Sequence, residues 1–354
     1  MSEVTLDLGN VVAAIKHWGA MLGLDQIGIA DVELDLTEER LLQWLQRGWH
    51  GKMDFMSRHG TKRSRPAMLQ PGTLRVISAR LNYLPVTKAE LSAQLAASNR
   101  AYIAGYAHGR DYHKLLRHRL QRLAEYIDKA VKNFNYRVYV DSAPVMEKPL
   151  AEKAGLGWIG KHTNLVNHQA GSWFFLGEIY TDLPLPISSP AANHCGSCRA
   201  CIDACPTRAI VSPYNLDATQ CIAYLTIEAP DAIPEPLRPL IGNRIFGCDD
   251  CQLVCPWNRF ATLTTETDFL PRAYSCANLL DLFTWSETEF LQYTAGSAIR
   301  RLGWRRWLRN LAVALGNTPK NSKIIEVLQA YSSHPDAMVR EHVQWALERQ
   351  LKLL

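Results

Sequence analysis

Cys195, Cys198, Cys201 and Cys205 fall within HCGSCRACIDACPTRAI at spacings of two, two and three residues, and a proline follows the last of them. Thiolates so spaced are iron–sulfur ligands, because a compact loop reaches three irons of a cuboidal cluster before sterics send the fourth position elsewhere. Downstream, Cys221 is followed by Cys248, Cys251 and Cys255 in GCDDCQLVCPWN, which again ends its cysteines on Cys-Pro. In chains with two clusters the fourth cysteine of the C-x2-C-x2-C-x3-C-P run serves the other cluster. One [4Fe–4S] cluster then takes Cys195, Cys198, Cys201 and Cys255, and a second takes Cys221, Cys248, Cys251 and Cys205. Cys221, separated from Cys248 by twenty-six residues, is the ligand that spacing fixes least. Two zinc ions would also use eight cysteines, but zinc knuckles come as separated pairs rather than a run of three. Clusters close enough to share ligand loops pass electrons one at a time, to a partner or to an internal redox centre.

Asp141 is a second candidate for chemistry. In YRVYVDSAPVMEKPLAEKAGLGWIGKHTNLV the alternating Val138 and Val140 predict a strand that stops at Asp141, and α/β folds bind ligands beyond the ends of their strands. The plain alternative is an N-cap for a helix starting at Ala143 or Pro144. Gly155, Gly157 and Gly160 permit close backbone approach, yet their spacing is not the dinucleotide fingerprint. A third group is basic: IRRLGWRRWLR holds Arg300, Arg301, Arg305, Arg306 and Arg309 with no acid. On a helix these arginines do not share one side, so two or three of them would meet a polyanion, or they form a solvated face. Trp304 and Trp307 read as core. A net charge of +5 is too moderate to prove a polyanionic partner by itself.

The elements that must position these residues divide into three parts. LDLGNVVAAIKHWGAMLGL and TEERLLQWLQRGWHGKMDFM read as amphipathic helices, the second with Thr37 as N-cap. Strand-like runs at 74–84, 136–142 and 172–181, with a long helical stretch Tyr112 to Val131 between the first two, predict a layered α/β domain over 1–187. PLPISSPAANH is a Pro/Ser-rich joint, followed by a ferredoxin-like two-cluster domain over 188–262. Residues 277–354 read as all-α, with RNLAVALGN and REHVQWALE suggesting a pair of HEAT-like repeats. With 354 residues, 47% of them hydrophobic, the chain can bury a large core. No apolar run approaches the roughly 18 residues of a membrane span, and the start lacks a secretory pattern. Eight of nine cysteines crowd into 195–255, which favours metal ligation in a reducing cytoplasm over disulfides, with Cys276 an ordinary buried thiol.

VDSAPVMEKPLAEKAGLGWIGKHTNLV, YAHGRDYHKLL, IFGCDDCQLVCPWN and the first cysteine run together resemble the epoxyqueuosine reductases, over nearly the whole chain. The resemblance implies a cobalamin-binding N-terminal α/β domain beside two [4Fe–4S] clusters. It also implies reduction of epoxyqueuosine to queuosine at the wobble position of a tRNA with a GUN anticodon, by a cytoplasmic monomer fed by an external one-electron donor, with no membrane. It places the family's proton donor on Asp141, whose acid form a closed apolar site would favour. It matches all eight cysteines, and sets Tyr106 to His113 beside the cofactor cavity. Tyr106, Lys148, Lys153 and Lys161 become candidates for corrin contacts, and the arginines at 300–309 for tRNA phosphates. No protein histidine need ligate the cobalt, although His108, His162 and His168 lie in neighbouring segments. Two rivals are a small-molecule reductive dehalogenase, for which a basic helical tail would be superfluous, and an electron-transfer subunit, which would hold iron but no cobalt.

Overall fold

Alternation makes RVISARLN a strand, Arg75–Asn82, and FFLGEIYT another, Phe174–Thr181, every residue of which is buried. The structure is a computed structural model that describes residues 7–132 and 134–352; the expected helix start at Leu6 lies outside them. The two strands form the centre of a four-stranded sheet in the order Gln26–Ala30, Arg75–Asn82, Phe174–Thr181, Tyr136–Tyr139, antiparallel throughout. The outer strand Gln26–Ala30 escaped the sequence reading because five residues are too few to separate a strand from the tail of the preceding helix.

Helices cover both faces. Tyr112–Val131 begins and ends where its periodicity predicts, capped by the Asp111 carboxylate on the His113 N–H. It lays Leu116, Leu120, Leu123 and Ile127 against Ile77, Ala79 and Ile179, each such side chain contributing about 1.5–3 kcal/mol. Gly177 admits this helix, since a Cβ there would come within 2.6 Å of Leu120. On the opposite face Glu147–Lys153 packs Leu150 and Ala151 against Val76, Leu176 and Tyr180. Here Gly28 is required, because its Cβ would lie 1.9 Å from the Ala154 carbonyl. Side chains alternate along a strand, so Ser78 and Glu178, direct partners in the register, face this second helix.

The second N-terminal helix runs Asp35–Gln46, so Thr37 lies inside it and caps nothing. Cys276 is half-buried rather than buried. In the tail, the first predicted helix is two, Leu279–Phe283 and Glu287–Tyr293, the latter started by a Ser286/Glu289 capping box. Trp304–Gly316, Ser322–Ala330 and Ala337–Lys352 follow. Trp307, Leu311, Val343 and Ala346 from these helices share one core with Ile222, Leu225 and Ile245 of the cysteine-bearing region. Among the described residues no helix is long and apolar enough to cross a membrane.

Arg309 departs from the expected RNA contact. It is fully buried, and its guanidinium donates to the carbonyls of Leu225 at 2.7 Å, Ala229 at 2.7 Å and Asp231 at 2.6 Å. Those carbonyls belong to or border the π-helical turn Tyr224–Glu228, whose end leaves acceptors without intrahelical donors. A buried arginine with five donors satisfies them, and Asn310 adds a bond to the Thr226 carbonyl. Arg306, half-buried, supports the same turn through the Ile227 carbonyl at 2.8 Å.

Candidate active site

Cys195, Cys198, Cys201 and Cys255 line one small hollow, with Trp257 and His162. Cys205, Cys221, Cys248 and Cys251 line another, part of a cavity of about 350 Å³. These are the two sets that spacing predicts, with Cys205 and Cys255 exchanged between their runs. Among the described residues no three Cys, His, Asp or Glu side chains converge closely enough to hold a single ion. Four thiols around one hollow suit a cuboidal cluster, each of whose irons takes one thiolate. Donors stand ready for the sulfurs: Trp158 Nε1–H lies 3.4 Å from Cys195 Sγ, and the Ala209 N–H lies 3.2 Å from Cys205 Sγ. Burial, and after it the neighbouring thiols, pushes Cys201 up to about 11, so ligation releases protons. Cys198 is exposed while Cys201 and Cys255 are buried, which puts the first hollow near the surface.

The second cavity leads onward. Tyr83, Tyr106 and Phe174 line both it and an adjoining recess of about 480 Å³ whose wall includes Asp141, His113, Glu228 and Arg301. The thiols of the second set and the Asp141 carboxylate therefore face adjoining cavities that share these three aromatic side chains as walls. Lys148 lines the thiol-bearing cavity, donating to the Thr163 carbonyl at 2.9 Å. Lys153 and Lys161 do not. Lys153 pairs with Asp31, and Lys161 donates to the carbonyls of Gly196 at 2.6 Å and Cys198 at 2.8 Å, binding the first cysteine loop to the α/β layer. Of the histidines, His108 is buried against the Ile103 carbonyl, and His162 lies between the two cysteine hollows.

Asp141 follows the edge strand Tyr136–Tyr139 but caps no helix, since the next one starts at Glu147. Its backbone sits at φ +45°, in the left-handed region that costs a non-glycine residue roughly 1–2 kcal/mol. That twist sets the carboxylate, 51% exposed and open to the recess, against His113, whose Nε2 lies 2.7 Å from Asp141 Oδ2. His113 Nδ1 lies 2.5 Å from Asp111 Oδ1, and Arg301 meets Asp111 Oδ2 at 3.1 Å. Although burial opposes it, the hydrogen bonds that its ring donates to Asp111 and Asp141 push His113 up to about 9. Burial likewise works to raise Asp141, but the His113 hydrogen bond and charge, with Tyr112 and Arg301, hold it below the usual carboxylate range. Both shifts favour an imidazolium on His113 facing a carboxylate on Asp141.

A histidine raised in the folded state stabilises fully below its ordinary 6.5, and that contribution is lost as pH climbs to about 9. An NMR titration of His113 is expected to show its midpoint well above 7; a midpoint at or below 6.5 would rule out the ion-paired triad.

His113, Asp111 and Glu147 were not singled out from the sequence. The available signal was the Asp-x-His pair at a helix start, three residues before the apolar stripe begins. Arg300, Arg301 and Arg305 are exposed, and Arg305 pairs with Asp336.

Two sequence families match the chain: a 4Fe-4S double cluster binding domain over residues 194–258, and "Epoxyqueuosine reductase QueG, DUF1730" over residues 63–142. The chain is 58% identical to an epoxyqueuosine reductase of Pseudomonas aeruginosa, across 97% of this chain and 95% of that one. It is 54% identical to one from Escherichia coli K12, across 99% and 92%. Among solved structures, it is similar to an epoxyqueuosine reductase with an epoxyqueuosine-modified tyrosine tRNA stem-loop, at TM-score 0.87 and 26% identity over 97% of this chain and 91% of that one. An epoxyqueuosine reductase from Bacillus subtilis, with its catalytic aspartate loop swung out of the active site, gives TM-score 0.88 at 25% identity over the same shares.

Proposed function

The chain belongs to the epoxyqueuosine reductase family, and on that premise we propose that it reduces epoxyqueuosine to queuosine in the wobble position of a GUN-anticodon tRNA. Cobalamin and two [4Fe–4S] clusters serve as cofactors, and Asp141 delivers a proton to the departing oxygen. The observation that carries this reading is the adjacency of two cavities, one lined by Cys205, Cys221, Cys248 and Cys251 and the other by Asp141, with Tyr83, Tyr106 and Phe174 common to both. Removing the epoxide oxygen as water takes two electrons and two protons. The electrons would reach the Cys195–Cys198–Cys201–Cys255 cluster from an external one-electron donor at the exposed Cys198, and pass to the inner cluster.

The residues present fit a corrin between that cluster and Asp141. Tyr83, Tyr106, Leu165 and Phe174 offer apolar walls, and Lys148, Thr163 and Asn164 offer polar partners for a rim of amides. When bound there, its cobalt would supply the low-potential electrons that the protein's own side chains lack. The chain's residues handle the proton and the geometry. As charge grows on the leaving oxygen, Asp141 passes on a proton that His113 supplies through its 2.7 Å contact, while Asp111 and Arg301 hold the imidazole upright. The swung-out aspartate loop of the Bacillus subtilis relative supports a mobile Asp141 loop here, able to admit a base splayed from the anticodon loop.

We assign 1–187 to cobalamin and catalysis, 188–262 to electron transfer and the HEAT-like 277–354 to tRNA, in a cytoplasmic monomer. Arg300, Arg301 and Arg305 have the exposure to meet phosphates, and Arg301 also borders the recess. Replacing Arg300 and Arg305 by Glu is expected to raise the tRNA KM and to lower the salt-dependence slope of binding by about one per lost contact. Parental binding and slope would move the RNA site elsewhere. Anaerobic turnover of epoxyqueuosine-bearing tRNA, with about eight iron atoms and one cobalt per chain, tests the whole reading; iron-loaded protein that takes up no cobalamin and leaves the epoxide intact would overturn it.

A further inference from the structure

The strained backbone at Asp141 needs a restraint, and its own strand does not provide one, because pairing with Phe174–Thr181 stops at Tyr139. The restraint comes from the far side of the loop. The Asp141 N–H donates to Glu147 Oε1 at 2.6 Å, and Glu147 is the first residue of the helix that packs against the sheet. Behind it, on the central strand, lies the fully buried Glu178, whose carboxyl feels the charge of Glu147. Ser78 donates to Glu178 Oε1 at 3.2 Å, while Glu178 Oε2 meets no donor. Two neighbouring carboxylates within a protein interior disfavour each other's ionised form, so that one of them holds a proton. A proton on Glu178 resolves both problems: the orphaned oxygen becomes a donor to Glu147, which keeps its other oxygen free for the Asp141 N–H. Burial, and then the charge of Glu147, holds Glu178 well above the carboxylate range in agreement with that placement. Arg63, itself buried, completes the support by donating to the Phe55 carbonyl at 2.8 Å and, more weakly, to Val145 at 3.4 Å within the loop.

We propose that Glu147 is a positioning residue for the reaction: backed by the Glu178 carboxyl, it holds the Asp141 backbone in the left-handed turn that aims the Asp141 side chain at His113 and the recess. The inference rests on the Asp141 reading above. It touches neither substrate nor cofactor, so its effect passes wholly through Asp141. What it supplies is an acceptor oxygen at one place, not a charge, and an amide can supply the same oxygen.

The test compares Glu147→Gln, Glu147→Ala, Asp141→Asn and the Asp141→Asn/Glu147→Ala double, each loaded with cofactors and assayed on an epoxyqueuosine-bearing anticodon stem-loop, with iron content and melting temperature measured alongside. Glu147→Gln is expected to keep kcat within about 3-fold, because its amide oxygen still accepts the Asp141 N–H. Glu147→Ala is expected to lower kcat by about 10- to 100-fold, as misplacement of a reacting group does, with KM and iron content held. If Ala lowers the melting temperature, Glu147→Met fills the space without an acceptor and takes its place. The double is expected to turn over no more slowly than Asp141→Asn alone, as residues acting as a unit do. A parental kcat in Glu147→Ala, an equal fall in Glu147→Gln, or a double whose losses multiply would each overturn the proposal. Full activity in Asp141→Asn would instead remove the reading on which it stands.

Discussion

Asp141→Asn is expected to lower single-turnover product formation by about 10²–10⁴-fold, the usual worth of a general acid, while leaving iron content and tRNA affinity within a few fold. The substitution preserves size, so the loop and the recess persist. It removes the carboxylate oxygen that meets His113 Nε2 at the wall of the recess. It also removes one of the two carboxylates that keep His113 charged. The His113 titration should therefore fall back toward its ordinary range in the same variant, linking the kinetic loss to a spectroscopic one. A rate equal to the parent's would strip Asp141 of its role. A lost rate with an unmoved His113 titration would mean the two side chains do not act as a pair in solution.

Single Cys→Ser replacements across the two hollows carry the second large effect. Each is expected to abolish multiple turnover and leave about four of eight iron atoms, since each cubane needs four thiolates. The pattern matters more than the loss. Cys205→Ser, although it alters the first run, should yield the same residual electron paramagnetic resonance signal as Cys248→Ser and Cys251→Ser. Cys255→Ser should match Cys195→Ser and Cys198→Ser. This follows from Cys205 lining the hollow of Cys221, Cys248 and Cys251, and Cys255 lining the other. If Cys205→Ser instead grouped with Cys195→Ser, each run would be a self-contained site and the exchange of ligands would be wrong.

The tail arginines show how far a linear reading of charge goes. Five arginines within eleven residues look like one patch, and the sequence cannot separate them because each is as basic as the next. The fold does so by depth: Arg300, Arg301 and Arg305 reach solvent, Arg306 is half-buried, and Arg309 disappears beneath a π-helical turn to satisfy its carbonyls. The lysines divide in the same way, Lys148 into the thiol-bearing cavity and Lys153 and Lys161 into structural bonds.

The cysteine runs were legible in the linear chain because the geometry of a cuboidal cluster constrains neighbours a few residues apart, and spacing records that constraint directly. The helix Tyr112–Val131 was legible for a related reason, since its apolar period and its Asp111 cap are both local. The surroundings of Asp141 were not. His113 precedes it by twenty-eight residues and Glu178 follows it by thirty-seven, and neither has a local pattern that marks it as a neighbour. Only the antiparallel register, the close approach allowed at Gly28 and Gly177, and the packing of one helix on each sheet face bring an imidazole to one side of the carboxylate and a buried carboxyl pair to the other. Hydrogen bonding and charge act through space over a few ångströms, whereas sequence records only distance along the chain; for this site the two coincide at the cysteines and part at the aspartate.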